Sequence, residues 1–179
     1  LARPPLRYTH MCLRPRLGGY IWRPIHGLDL RRIMSFLVIN GPNLNTLGQR
    51  NQAIYGTLTL LEIEEKIKSL ASDLGVEVGF FQSNNEGDIV DYIQRRGRDV
   101  EGIIINPGAL THYGLSLRDA LTDVQIPVVE VHLSNIYSRE EFRRHSVIAP
   151  IAIGQVTGLG WRGYTAAIEL LVAIVKEKS

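Results

Sequence analysis

The sequence predicts an α/β domain, a five-stranded parallel sheet with helices on both faces, and three observations carry that reading. From residue 34 onward, short apolar runs of strand length alternate with longer stretches of helical periodicity. The runs are nearly continuous in apolar residues, as in strands covered on both sides. Polar residues with chemical capacity fall just after the runs, where such sheets bind ligands.

The elements follow in order. Phe36–Asn40 (FLVIN) reads as the first strand, stopped by Gly41-Pro42. Thr59 opens a helix: Thr59 and Glu62 have capping-box spacing, and Leu60, Ile63, Ile67, Leu70 and Leu74 form one stripe closed by Gly75. Val76–Ser83 is the second strand, and residues 87–96 are a helix with Ile89, Tyr92 and Ile93 inward. Gly102–Asn106 (GIIIN) is the third strand, stopped by Pro107-Gly108, and Ser116–Val124 is a helix. Ile126–Leu133 is the fourth strand, and Ser138 with Glu141 is spaced to cap a short helix. Residues 151–157 form the fifth strand. Trp161–Glu177 is the closing helix, with Tyr164, Ile168, Leu171 and Val175 on its stripe. Five strands alternating with five helices call for crossovers of one hand. At this length the doubly wound, flavodoxin-like order 2-1-3-4-5 is the expected topology.

The charge balance is divided along the chain. Residues 1–33 hold seven of the 20 basic residues, all arginine, and one of the 18 acidic ones, which leaves 13 against 17 and a net of −4 for the remainder. The basic excess thus belongs to the N-terminal segment, and the body does not invite nucleic acid. That segment has Pro4, Pro5, Pro15 and Pro24, paired Gly18 and Gly19, and no sustained periodicity. It is expected to be a disordered, arginine-rich extension, with residues 34–179 forming the working domain. Its lack of serine disfavours a transit peptide, and it has no apolar core of a secretory signal. Met34 stands directly before the first strand, so the expectation is an upstream translated stretch or expression remnant rather than a functional arm. No apolar run reaches the length of a membrane-spanning helix. The single Cys12 excludes a disulfide within one chain and suits a cytoplasmic location.

Candidate chemistry lies in three places. The loop Gly41–Arg50 (GPNLNTLGQR) offers Asn43 and Asn45 as amide donors between glycines that permit close approach. Taken alone, these residues also simply make turns. Arg50 and Tyr55 sit in the same polar stretch. A guanidinium beside a phenol favours the phenolate, and such a loop can close over a ligand. By spacing alone they read equally as a surface pair. Glu130 and His132 are two apart on a strand and share one face, while Val129, Val131 and Leu133 face the helix layer. A carboxylate inside a parallel strand is costly without a purpose, and here it is placed to support an imidazole that donates a proton, directly or through water. Backbone N–H groups near Ser134 can hold an anion, and Arg143 adds a cation. His112 and Asp119 span a loop and the start of a helix, where Asp119 also suits the helix N-terminus.

Other chemistries lack their residues. His112, His132 and His145 are dispersed, so no metal site is expected, and neither GxxxxGK[ST] nor GxGxxG follows a strand. Lys66, Lys68, Lys176 and Lys178 are the lysines of the body; two lie on the polar side of a helix and two at the C-terminal end. An elimination beside a ketone would therefore pass through an enolate rather than a lysine imine. A flavin- or nucleotide-binding module on this sheet would carry hydroxyls in the first loop. A receiver domain would place an aspartate where Asn106 stands.

Together these residues resemble the type II 3-dehydroquinate dehydratase family. The matching segments are GPNLNTLGQR (41–50) with IYG (54–56), QSNNEGDIVDYIQ (82–94), IINPGALTHYGLSLRDAL (104–121), VEVHLSNIYSREEFRRHSVIAP (129–150) and GLGWRGYTAAIELL (158–171). The resemblance implies a cofactor-free hydro-lyase of the shikimate pathway, the third step toward chorismate, that turns 3-dehydroquinate into 3-dehydroshikimate. It implies a dodecamer of trimers. It also implies Tyr55 as base, Arg50 as its activator, Asn43 as holder of a water on the enolate, and His132 as acid supported by Glu130. Asn106, His112, Leu133, Ser134 and Arg143 would bind substrate, with Asp119 given by a neighbouring subunit. The chain departs from the family at Asn51-Gln52, Asn85 and Tyr137, positions that bear on the lid and on affinity. Deleting residues 1–33 is expected to leave turnover intact; loss of activity in a folded deletion variant would contradict this.

Overall fold

In the computed structural model, residues 33–49 and 55–178 are described. They belong to one unit, Arg32–Ser179. All but Ile33 of the expected extension, together with Arg50, Asn51 and Gln52, lie outside the described residues.

The sheet has five parallel strands: β1 (Ser35–Asn40), β2 (Glu77–Gln82), β3 (Gly102–Asn106), β4 (Val128–His132) and β5 (Gly154–Thr157), in the expected order β2-β1-β3-β4-β5. Four α-helices are described: α1 (Leu60–Leu74), α2 (Glu86–Arg96), α3 (Leu115–Asp123) and α4 (Arg162–Glu177). The two-residue period of a strand sorts the core into two layers. Phe36, Val38, Ile104, Val129 and Val131 pack with Ile63 and Ile67 of α1 and with Tyr164, Ile168 and Leu171 of α4. Leu37, Ile39, Ile103 and Ile105 pack on the other face with Ile89 and Ile93 of α2 and Leu117 and Leu121 of α3. Tyr92 is less buried than its two helix neighbours and stacks flat on Phe81.

Local chemistry sets the ends of α1 as expected. Thr59 and Glu62 form the reciprocal capping box, and Gly75 ends the helix in the left-handed region at φ 70°. The expected helix after β4 does not form. Residues 136–143 make two 3-10 turns, Ile136–Ser138 and Glu141–Arg143, with Arg139 and Glu140 extended between them. Asn135, not Ser138, supplies the cap, accepting from Tyr137 N, and the Ser138 hydroxyl turns back to the Asn135 carbonyl. These local side-chain bonds satisfy the backbone one turn at a time and compete with a continuous helix. β4 and β5 are shorter than expected. Pro127 precedes β4, and Pro150 sits in a 3-10 turn (Ala149–Ile151) that delays β5 to Gly154.

The sheet order creates a switch point. Strand order reverses between β1 and β3, and the loops leaving them are pressed together. Gly41 N donates to the Asn106 carbonyl at 2.8 Å. A Cβ on Gly41 would lie 2.4 Å from the Pro107 carbonyl oxygen, so only glycine fits. Gly41→Ala is expected to destabilise the fold by about 1–3 kcal/mol through overpacking against backbone, measured by denaturant unfolding. A midpoint equal to the parent's would show that the two loops part freely.

Candidate active site

The side chains at and beyond the carboxyl ends of the strands form three groups. The first is centred on Glu130, in β4, which has no solvent exposure. His132, two residues on and 5% exposed, directs Nε2 to Glu130 Oε1 at 2.8 Å, so the contact is direct. The Thr111 hydroxyl donates to the same oxygen. The Ser146 hydroxyl lies 3.0 Å from both carboxylate oxygens, and Gln155 Nε2 donates to Oε2 at 2.8 Å. Ser146 is itself held by the N–H groups of Ile148 and Ala149. Burial alone pushes the Glu130 carboxyl up. The hydrogen bond and charge of His132, with the bonds from Thr111 and Gln155, outweigh that and hold it below its ordinary 4.5. With Nε2 bound to the carboxylate, Nδ1 is the ring nitrogen left for chemistry.

The second group joins β1, β3 and α4. Asn106, 3% exposed, donates from Nδ2 to the Tyr164 hydroxyl at 2.9 Å, and its Oδ1 accepts from Gly108 N. Tyr164 donates in turn to Asn40 Oδ1 at 2.6 Å. Burial pushes the Tyr164 hydroxyl well above its usual value, so it stays a neutral donor. Asn40 Nδ2 is buried without a partner among the described residues. Asn43 stands nearby in the chain, exposed, with φ 67°; its N–H donates to Asn84 Oδ1 at 2.8 Å, tying the first loop to the second. Glu86, which follows the same strand end as Asn84, is used structurally, accepting from Leu117 N at the start of α3.

The third group was not legible in the sequence. Tyr55 packs against the α1–α4 side of the core, and Arg139 Nη1 donates to its hydroxyl at 3.1 Å. Glu140 holds Arg143 Nε at 3.1 Å and lies 3.7 Å from Arg139 Nε, so it draws both arginines to one place. Glu140's own backbone N–H, then the two arginines, keep its carboxyl low. Arg143 therefore has a carboxylate partner as well as a position near Tyr55's neighbour.

The remaining expected residues are placed more loosely. His112 Nδ1 meets the His145 carbonyl at 2.7 Å, which leaves Nε2 for other contacts. Asp119 is exposed, and it lies in the second turn of α3 rather than at its N-terminus, so the dipole reading does not hold. Leu133 is buried, and the Ser134 carbonyl accepts from Thr157 at 3.0 Å. Among the described residues no cluster of three or more His, Cys, Asp or Glu is placed to hold a metal ion. No helix among them is long and apolar enough to cross a membrane.

Residues 34–172 match the family model for class II dehydroquinase. The chain belongs to the class II dehydroquinase family. It is 58% identical over 139 residues to the 3-dehydroquinate dehydratase of Roseiflexus castenholzii, covering 78% of this chain and 88% of that one. It superposes on the type II dehydroquinase of Butyrivibrio crossotus with a TM-score of 0.76 at 47% identity, covering 78% and 97% of the two chains. The Propionibacterium acnes type II dehydroquinase gives the same TM-score at 38% identity, covering 79% and 99%.

Family membership makes the residues that sequence reading missed more instructive. Thr111, Ser146 and Gln155 all serve Glu130, yet they are 19, 16 and 25 residues from it. Gln155 had a usable signal: a polar side chain facing a buried carboxylate across adjacent strands. The Tyr164 hydroxyl had one too, since a phenol on a buried stripe needs a partner. Arg139 had none, because 84 residues separate it from Tyr55.

Because the folded carboxyl of Glu130 titrates below 4.5, the unfolded chain takes up this proton more readily. The group therefore stabilises the fold above pH 4.5, and that contribution is lost as pH falls below it. Glu130→Gln is expected to flatten the fall in unfolding free energy below pH 4.5, relative to the parent, in urea titrations. An acid slope unchanged in the variant would place the responsible carboxylate elsewhere.

Proposed function

We propose that the protein removes water from 3-dehydroquinate by anti elimination through an enolate, with Tyr55 as base and His132 as acid. Family membership supplies the activity: a type II 3-dehydroquinate dehydratase, a hydro-lyase of the shikimate pathway. The observation that carries the residue assignment is the buried carboxylate bound directly to His132 at the tip of β4.

The chemistry runs in two steps. The Tyr55 phenolate takes the proton from C2, and the electron pair moves onto the carbonyl oxygen as an enolate. Arg139 Nη1 donates to the Tyr55 oxygen at 3.1 Å and orients it. Arg50 keeps the activating role implied by the resemblance. Asn43 helps hold a water on the enolate oxygen. The enolate then collapses and expels the C1 hydroxyl, which leaves as water with a proton from His132. Glu130 balances the positive charge that the ring carries as an acid, and fixes which nitrogen faces the substrate.

Asn106, His112, Leu133, Ser134 and Arg143 hold the substrate, with its carboxylate at the backbone amides after β4. Tyr164 keeps the Asn106 amide in one orientation. Asp119, exposed on α3, suits a contribution to a neighbouring subunit's site in a dodecamer of four trimers. The enzyme is assigned to the cytoplasm and takes no cofactor. The lysines support the enolate route: Lys66 is stacked over Trp161 and Lys68 over Phe80, and Lys176 and Lys178 lie at the end of α4.

Product formation is followed by the ultraviolet absorbance of the enone. Tyr55→Phe and His132→Ala are each expected to lower kcat by on the order of 10²–10⁴-fold while the circular dichroism spectrum stays native. Borohydride is expected to trap no substrate on the protein. Near-parental turnover in folded His132→Ala would reject the acid assignment.

A further inference from the structure

Glu130 and Gln155 are register partners across the parallel pair β4–β5, so their side chains rise from the same face of the sheet. Gln155 Nε2 donates to Glu130 Oε2 at 2.8 Å, and Gln155 Oε1 accepts from the Tyr137 hydroxyl at 2.8 Å. The direction of this line is fixed by its inner end. An ionised carboxylate only accepts, so the amide must turn its nitrogen to Glu130 and its oxygen outward. Tyr137 must then donate. Each donor strengthens the next, and the polarisation ends on the carboxylate that holds His132.

The two carboxylate oxygens are not equally supplied. Oε1 takes His132 and Thr111 and shares Ser146, whereas Oε2 has Gln155 and the other share of Ser146. Without the Gln155 donor, Oε2 keeps one shared hydroxyl, and the rotation of the carboxylate about its last bond is held from the Oε1 side alone. That rotation decides whether Oε1 meets Nε2 in the plane of the imidazole. The groups facing Glu130 are His132 from its own strand, Thr111 from the turn after β3, Ser146 from the segment before Ile148, and Gln155 from β5. Of these, His132 is the one with an ionisable side chain.

We propose that Gln155 is a positioning residue for the acid step: it pins the Glu130 carboxylate against His132, and Tyr137 locks the Gln155 amide in its donating orientation. This rests on His132 being the acid. Tyr137 is 51% exposed, so the line reaches from the surface of the sheet edge to the proton donor. Neither residue touches the substrate in this scheme; both act through Glu130.

The test uses the full chain and the variants Gln155→Met, Tyr137→Phe and the double variant, with kcat and KM measured across pH. Gln155→Met keeps length and removes the amide. It is expected to lower kcat about ten-fold with KM within about two-fold, and to move the acid limb of the kcat profile upward, because Glu130 with one donor fewer takes up a proton more readily. Tyr137→Phe is expected to shift the same limb the same way by less. The double variant is expected to match Gln155→Met, since Tyr137 acts only through Gln155. A kcat–pH profile of folded Gln155→Met that superimposes on the parent's, a loss confined to KM, or additive effects in the double variant would overturn the proposal. Turnover surviving in His132→Ala would remove the acid assignment instead, and is read separately.

Discussion

A carboxylate with no solvent exposure, set in the fourth strand of a parallel sheet, is the constraint on which the site depends. Left unpaired it would be expensive enough to neutralise or to displace the strand. Here four segments bring donors to it: the turn after β3, the tip of β4, the loop carrying Ser146, and β5. Satisfying Glu130 therefore fixes how those segments converge. The same convergence sets His132 with Nε2 committed to the carboxylate. Stability and the site's geometry meet in one group, since the bonds that keep the carboxyl ionised also orient the imidazole.

The other strand tips follow the same logic at smaller scale. Gly41 and Gly108 let the loops after β1 and β3 touch. Tyr164 reaches through the helix layer to hold Asn106 and Asn40 at once. Glu140 gathers Arg139 and Arg143, and Arg139 in turn meets Tyr55. Tyr55 and His132 thus sit on different segments, the first against an arginine and the second against a carboxylate. Tyr55 is joined to the loop after β4 by that arginine.

The strands and most of the helices were legible in the sequence because their signals are local. The capping box at Thr59, the stripe from Ile63 to Ile67 and the stop at Gly75 each act within a few residues. The strand order followed from alternation and length, and the Glu130–His132 pair from the two-residue period of a strand. What failed was also local competition: at Ser138, a capping spacing was read as a helix start, while Asn135 had already closed the turn. The dipole reading of Asp119 failed by less than one turn of helix. The partners of Glu130 and Tyr55 could not be seen, because tertiary contacts between polar residues leave no period in the chain. Only Gln155 and Tyr164 carried a hint, as polar groups at positions that the sheet and helix patterns turn inward.

The ionised Glu130 beside a ring protonated on Nε2 is the centre of this account, and neutron diffraction from deuterium-exchanged crystals at neutral pH reads it directly. The account predicts a deuteron on His132 Nε2 and none on either oxygen of Glu130, with the Gln155 amide nitrogen turned toward the carboxylate. A deuteron on Glu130, or a Gln155 amide turned the other way, would contradict it.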